Sequence, residues 1–237
     1  MIKLFITVLF LFSFISNGVA IGQGKEKIAV IVIDIQGGFT ELKHGSLMVP
    51  KTDESYIKAV EENTKKFKAE GYPIFATQDW HPANHISFFT NHEGKKAFDI
   101  IKFNGKLQTL WPPHSVQNTS GANILLDNKL FNAVVKKGID PNYDSYSGFQ
   151  DDGGRKTELD SLLKKYKIKT VIIYGIATDY CVRATALDAV AAGYKVILLK
   201  SLSRGVDPEN SHQAINDMKA KGVIILNNFT KIDRKAI

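Results

Sequence analysis

Asp34, Lys137 and Cys181 are side chains whose types, taken together, suit nucleophilic chemistry. A cysteine nucleophile needs a base to take its proton, and a carboxylate in hydrogen-bond reach can serve. A neighbouring ammonium stabilises thiolate and carboxylate alike. Each residue also has a plainer reading: Asp34 as the former of a strand-end turn, Lys137 as a solvated lysine beside Lys136, Cys181 as a small buried residue. A second set suits a metal. Asp79 and His81 stand at i and i+2, so in extended chain they point the same way. His114, in Trp-Pro-Pro-His, would be a distant third ligand, leaving positions open for water or substrate, which is a catalytic rather than a closed structural pattern. His85 is a further ligand or a polar contact. Loop histidines that only make hydrogen bonds are the plainer reading, and His44, His92 and His212 are taken as surface residues.

The stretch 171–192 must present the cysteine. Its apolar run breaks at Gly175 and resumes as a helix of small residues. The run reads as a buried strand, with Thr178 or Asp179 capping the helix. Cys181 then lies in the first helical turn, where free N–H groups and the dipole favour a thiolate. The N–H groups of Ala177 and Cys181 can point at a developing oxyanion. Further strands are expected at 28–36, 73–79, 132–137, 195–199 and 223–226, and helices at 55–70, 155–166 and 208–221. Residues 80–130 read as a long loop region rich in His, Pro, Asn and Gly. Strands alternating with helices imply an α/β fold, with helices on both faces of a mostly parallel sheet. Ligands bind outside the carboxyl ends of such strands, where Asp34, Asp79, Lys137 and Cys181 all fall.

The 237 residues are 44% hydrophobic and 23% charged, which suits one globular domain. The first stretch is different. Lys3, an apolar core at 4–15 and small residues up to Ala20 have the layout of a signal peptide at 1–20, leaving a single domain at 21–237. That core is shorter than the ~20 residues of a spanning helix, so no membrane anchor is expected after cleavage. No cysteine follows the cut, which excludes a lipoprotein anchor. Export follows, to the periplasm in preference to secretion. With one cysteine no internal disulfide can form, and a lone thiol outside the cytoplasm is a liability unless it is buried or needed. A narrow, mostly closed pocket around Cys181 is therefore expected. The net charge of +7 comes from dispersed lysines, with no basic stripe interleaved with aromatics, so nucleic acid is not an expected partner.

Specific motifs run in order along most of the chain: V-I-D-I-Q-G-G-F at 32–39, T-Q-D-W-H-P-A-N-H-I-S-F at 77–88, W-P-P-H-S-V-Q-N-T at 111–119, K-G-I-D at 137–140, Y-S-G-F at 146–149 and G-I-A-T-D-Y-C-V-R-A-T-A-L-D-A at 175–189. With these the chain resembles the nicotinamidases (the pyrazinamidase/nicotinamidase family) of the isochorismatase-like cysteine hydrolase superfamily, from about 28 to about 226. The resemblance implies a three-layer α/β/α isochorismatase-like hydrolase fold. It implies hydrolysis of nicotinamide to nicotinate and ammonia through a cysteine thioester, with pyrazinamide as a second substrate and a place in pyridine-nucleotide salvage. Asp34 would be the base, Lys137 the third member of the triad and Cys181 the nucleophile. Asp79, His81 and His114 would hold one divalent metal, zinc first and Fe2+ or Mn2+ as alternatives, which meets the pyridine nitrogen. Phe39, Trp111 and Tyr143 match positions that flank the ring. A cis peptide is implied at Ile176–Ala177. Ser115 departs from the family, many of whose members have Cys there, and the leader departs from a mostly cytoplasmic family. Two rivals stand: another small-amide or carbamoyl hydrolase of the superfamily, and a non-catalytic nicotinamide-binding protein. A homo-oligomer is compatible with the sequence.

Overall fold

Residues 28–33 are all β-branched except Ala29, which crowds a helix but suits a pleated strand. They form β1 (Ile28–Ile33), buried along its whole length. The computed structural model describes residues 27–103 and 105–229, so the leader assigned to 1–20 lies outside the described residues. After β1 come α1 (Glu54–Ala69), β2 (Ile74–Asp79), a hairpin of β3 (Ile100–Phe103) and β4 (Lys106–Thr109), β5 (Ala133–Lys137), α2 (Leu159–Lys165), β6 (Thr170–Gly175), α3 (Arg183–Ala191), β7 (Lys195–Leu199), α4 (Pro208–Ala220) and β8 (Ile224–Leu226). Among the described residues no helix is long and apolar enough to cross a membrane.

Six strands pair in the order β5-β2-β1-β6-β7-β8, all parallel, and β3 pairs antiparallel with β4 apart from them. Alternate residues of a strand face opposite sides. Val30 and Val32 therefore join one core with Tyr56, Ile57, Val60 and Phe67 of α1. Ala29, Ile31 and Ile33 join the other, with Leu159 and Leu163 of α2, Ala186 and Ala189 of α3 and Met218 of α4. The result is the three-layer α/β/α arrangement. Capping is local and simple: Asp53 accepts from Tyr56 N at 3.0 Å at the start of α1, and Asp207 accepts from Asn210 N at 2.8 Å ahead of Pro208 in α4.

From β1 the sheet grows through β2 to β5 on one side, and from β6 through β7 to β8 on the other. The chain thus reverses its direction of growth between β1 and β6, which is where a parallel sheet opens a crevice at its carboxyl edge. Residues 80–130 hold local structure of their own, the β3–β4 hairpin and several single 3-10 turns. Two expectations need correction. The helix expected at 155–166 covers only Leu159–Lys165, because residues before it pair Gln150 with Lys156 as a short antiparallel bridge. Neither Thr178 nor Asp179 caps a helix: Thr178–Val182 is a π-helical turn running into α3, and the Asp179 carboxylate accepts instead from Val206 N and Asp207 N, both at 3.0 Å.

Candidate active site

Asp34 directly follows β1, Asp79 ends β2, Lys137 ends β5 and Cys181 sits in the turn after β6, so four neighbouring strands deliver the four side chains to one edge. Two backbone features fix this edge. Asp34 holds φ at +47°, sparsely populated for a residue with a side chain. Gly175 holds φ at +136°, and a Cβ there would stand 2.1 Å from the Ile33 carbonyl oxygen. Only glycine lets β6 end this close to β1. The Ile176–Ala177 peptide that follows is cis.

Lys137 is 1% exposed, not solvated. Its ammonium lies 3.0 Å from Asp34 Oδ2 and 3.5 Å from Cys181 Sγ, donates to Asp79 Oδ1, and donates to the Ser145 carbonyl at 2.8 Å. Thr77 Oγ1 donates to Asp34 Oδ1 at 2.6 Å and accepts from Asp34 N at 3.2 Å, which fixes that carboxylate. Asp34, Asp79 and Cys181 bring ligand atoms within 4.8 Å of one another. The charges sort accordingly. Burial would lower Lys137, but the two carboxylates hold it well above the usual lysine value. Burial opposes the charge of Asp79 too, yet Lys137 and His81 keep it far below the carboxylate range. Burial raises Asp34 in spite of Lys137. The expected low-pKa thiolate is not found: burial pushes the Cys181 thiol well up, and Lys137 offsets this only in part. Burial therefore favours the neutral thiol of Cys181 and raises the proton affinity of the Asp34 carboxylate beside it.

Asp79, His81 and His114 bring one ligand atom each within 4.8 Å of one another, all buried. His81 Nδ1 pairs with the Gly138 carbonyl at 2.9 Å and His114 Nδ1 with the Pro112 carbonyl at 2.7 Å. A carbonyl only accepts, so both rings carry their proton on Nδ1 and aim Nε2 inward, the usual support of a metal-binding imidazole. Burial holds His114 down to about 4, which keeps its lone pair free. In His81 burial pulls the value down, but the Asp79 carboxylate outweighs it and raises it. Two carbonyl-oriented imidazoles and a carboxylate are a donor set that fits one divalent metal ion. Gly138 is part of the cradle: it holds φ at +64°, and a Cβ on it would stand 2.2 Å from His81 Cε1. His85 makes polar contacts through both ring nitrogens. Ser87 N–H points at its Nδ1 at 3.3 Å, and its Nε2 pairs with the Tyr143 carbonyl at 3.1 Å.

These sets open on a small enclosed cavity of about 40 Å³ that includes Cys181, Asp79 and His114. Cys181 is 8% exposed, as expected for a guarded thiol. Phe39, placed by the turn at Gly37–Phe39, tilts against His114 with ring centroids 5.3 Å apart. Trp111 forms part of the wall and donates from Nε1 to Tyr146 Oη at 3.1 Å. Tyr143 does not reach this cavity. It lies in an outer groove with its ring against Gly153, and Tyr146 takes the wall position instead. The tyrosine on the wall is the one in the motif Y-S-G-F at 146–149, whereas the resemblance had matched Tyr143 to that position. Tyr180, Asp144 and Ser145 also line the cavity and were missed. So was Gln36, whose amide accepts from Asp79 N at 2.8 Å and donates to Asp79 O at 2.9 Å, locking the ends of β1 and β2 together. Ala177 and Cys181 both line the cavity, and neither N–H meets an acceptor outside its own turn among the described residues. His92 is not a free surface residue, since its Nε2 pairs with the Ile86 carbonyl at 2.7 Å.

Comparison with known proteins places the chain in a family. The family model described as the Isochorismatase domain matches residues 28–228. A nicotinamidase of Escherichia coli (strain K12) is 41% identical over 202 residues, covering 83% of this chain and 93% of its own. A nicotinamidase/pyrazinamidase structure from Acinetobacter baumanii superposes with a TM-score of 0.78 at 36% identity, covering 86% of this chain and 97% of its own. A pyrazinamidase of Pyrococcus horikoshii, solved in complex with zinc, gives a TM-score of 0.72 at 39% identity, covering 85% and 99%.

Proposed function

The chain belongs to the isochorismatase-domain family, and from that footing we propose that it is a nicotinamidase, hydrolysing nicotinamide to nicotinate and ammonia with Cys181 as nucleophile. The observation that carries the reading is Asp79. One of its oxygens pairs with Lys137 of the triad and the other faces His81 Nε2 at 3.4 Å, so the acyl-transfer set and the metal set share a side chain and one small cavity. A metal held there supplies a Lewis-acid contact for the nitrogen of a pyridine or pyrazine ring, and zinc is the metal we assign.

Asp34 takes the Cys181 proton as the sulfur attacks the amide carbon. The oxygen that becomes negative faces the Ala177 and Cys181 N–H groups, which need no reorganisation at that moment. Asp34 passes its proton to the departing nitrogen, the C–N bond breaks and ammonia leaves. Water then adds to the thioester with Asp34 again as base, the C–S bond breaks, and the thiol is restored. Lys137 keeps its proton throughout, and its ammonium, 3.0 Å from Asp34 Oδ2, favours the ionised carboxylate each time Asp34 is to act as base. Phe39, Trp111 and Tyr146 confine the flat ring. Pyrazinamide fits the same requirements. Export guided by residues 1–20 completes the proposal.

Nicotinamide, pyrazinamide, an aliphatic amide and a ureido acid compared side by side test the substrate. The kcat/KM for the two aromatic amides is expected to exceed the others by at least about 100-fold. Faster turnover of the ureido acid would instead favour a carbamoyl hydrolase. Elemental analysis of chain purified without chelators is expected to return one zinc per chain. In Gly138→Ala the displaced His81 ring should lower bound metal by about tenfold or more, measured at matched protein concentration.

A further inference from the structure

Ser145 is 2% exposed, and its hydroxyl has no hydrogen-bond partner among the described residues. Buried hydroxyls are nearly always bonded, so an unbonded one calls for a reason. The rest of the residue is committed. Its N–H donates to Asp144 Oδ1 at 2.9 Å and its carbonyl accepts from Lys137 Nζ at 2.8 Å. The serine is therefore pinned beside the triad while its side chain stays available.

Ser145 also lies between two cavities. One is the enclosed cavity of Cys181, and the other is a wider cleft of about 300 Å³ that reaches Lys137, Gly138 and Thr157. The first has mostly aromatic and aliphatic walls, whereas the cleft has Lys136, Asp151 and Lys156 along it. The thioester step poses a problem of access. While an acyl ring fills the front cavity, water must still reach the carbonyl carbon bound to Cys181 sulfur. The cleft supplies a wet side, and Ser145 is the residue common to both spaces.

We propose that Ser145 is a positioning residue for thioester hydrolysis, its hydroxyl holding the attacking water on the cleft side of Cys181. This rests on the cysteine mechanism above. In the step, the water oxygen bonds to the acyl carbon, one water proton passes to Asp34, the C–S bond breaks, and the sulfur regains a proton from Asp34. Acid and free thiol are the products, and no further reactant is needed. The first half-reaction does not use the serine.

Ser145→Ala separates this from a structural role, because it removes a hydroxyl that holds nothing in place. Its Tm is expected to stay the same or rise. With nicotinamide, rapid mixing should give a burst approaching one ammonia per chain, followed by steady release about tenfold slower than in the parent. The nicotinoyl adduct on Cys181 should appear by mass spectrometry after acid quench. Since kcat/KM reports formation of the acyl-enzyme, it should be unchanged while kcat and KM fall together. A variant that turns over like the parent with no burst, or whose kcat/KM falls as far as kcat, overturns the assignment of Ser145. Absence of ammonia release from the parent chain would overturn the underlying mechanism instead.

Discussion

Cys181→Ala is expected to abolish ammonia release from nicotinamide, lowering kcat by at least about 10⁴-fold. In the proposed mechanism Cys181 is the nucleophile of a triad that works as a unit, and removing such a group removes nearly all the rate it provides. The loss should be confined to chemistry. Cys181 is a small member of the core that contains Val182 and Ala186, so stability should change by only about 1 kcal/mol. Phe39, Trp111 and His114, which line the same cavity and hold the ring in the proposed function, are untouched, so the variant should still bind nicotinamide. Calorimetric titration beside an ammonia assay checks both halves. Ammonia release at the parent rate would show that the thiol is not the nucleophile.

Lys137→Met is expected to show the largest loss of stability of any single change in the site. The ammonium is fully buried between Asp34 and Asp79. Methionine matches its length and removes its charge, leaving two buried carboxylates facing each other with nothing between. Breaking a buried ion pair on one side costs about 3–5 kcal/mol, and here two pairs break at once. Urea unfolding near neutral pH should register the loss as a lower midpoint. Asp34→Asn in the same chain removes one stranded charge and should recover part of it. A midpoint for Lys137→Met within error of the parent would mean that the ion network contributes nothing net.

The framework of the fold could be read from short runs. The β-branched 28–33 and the strand-then-glycine of 170–175 gave their strands to within a few residues, because a strand buried on both faces leaves an unbroken apolar signal. The convergence of Asp34, Asp79, Lys137 and Cys181 followed from the rule that parallel strands present their carboxyl ends together. What failed was chemistry that depends on third parties. The thiol looked like a stabilised thiolate while only a helix terminus and Lys137 were in view; full burial, which no local pattern reveals, reverses the direction. Asp179 has the right type for a helix cap, but a loop more than 20 residues later claims its carboxylate. Tyr143 and Tyr146 are separated by the path of an irregular loop, and irregular backbone has no period from which to count. Gln36 works by reaching across from β1 to the end of β2, so its role exists only once those strands pair.

The most direct measurement counts both products during steady turnover of the metal-loaded parent chain with nicotinamide. Ammonia and nicotinate are expected in equal amounts, rising together through many turnovers per Cys181. Saturable binding of nicotinamide with neither product formed would contradict the account and leave a binding protein on a hydrolase fold.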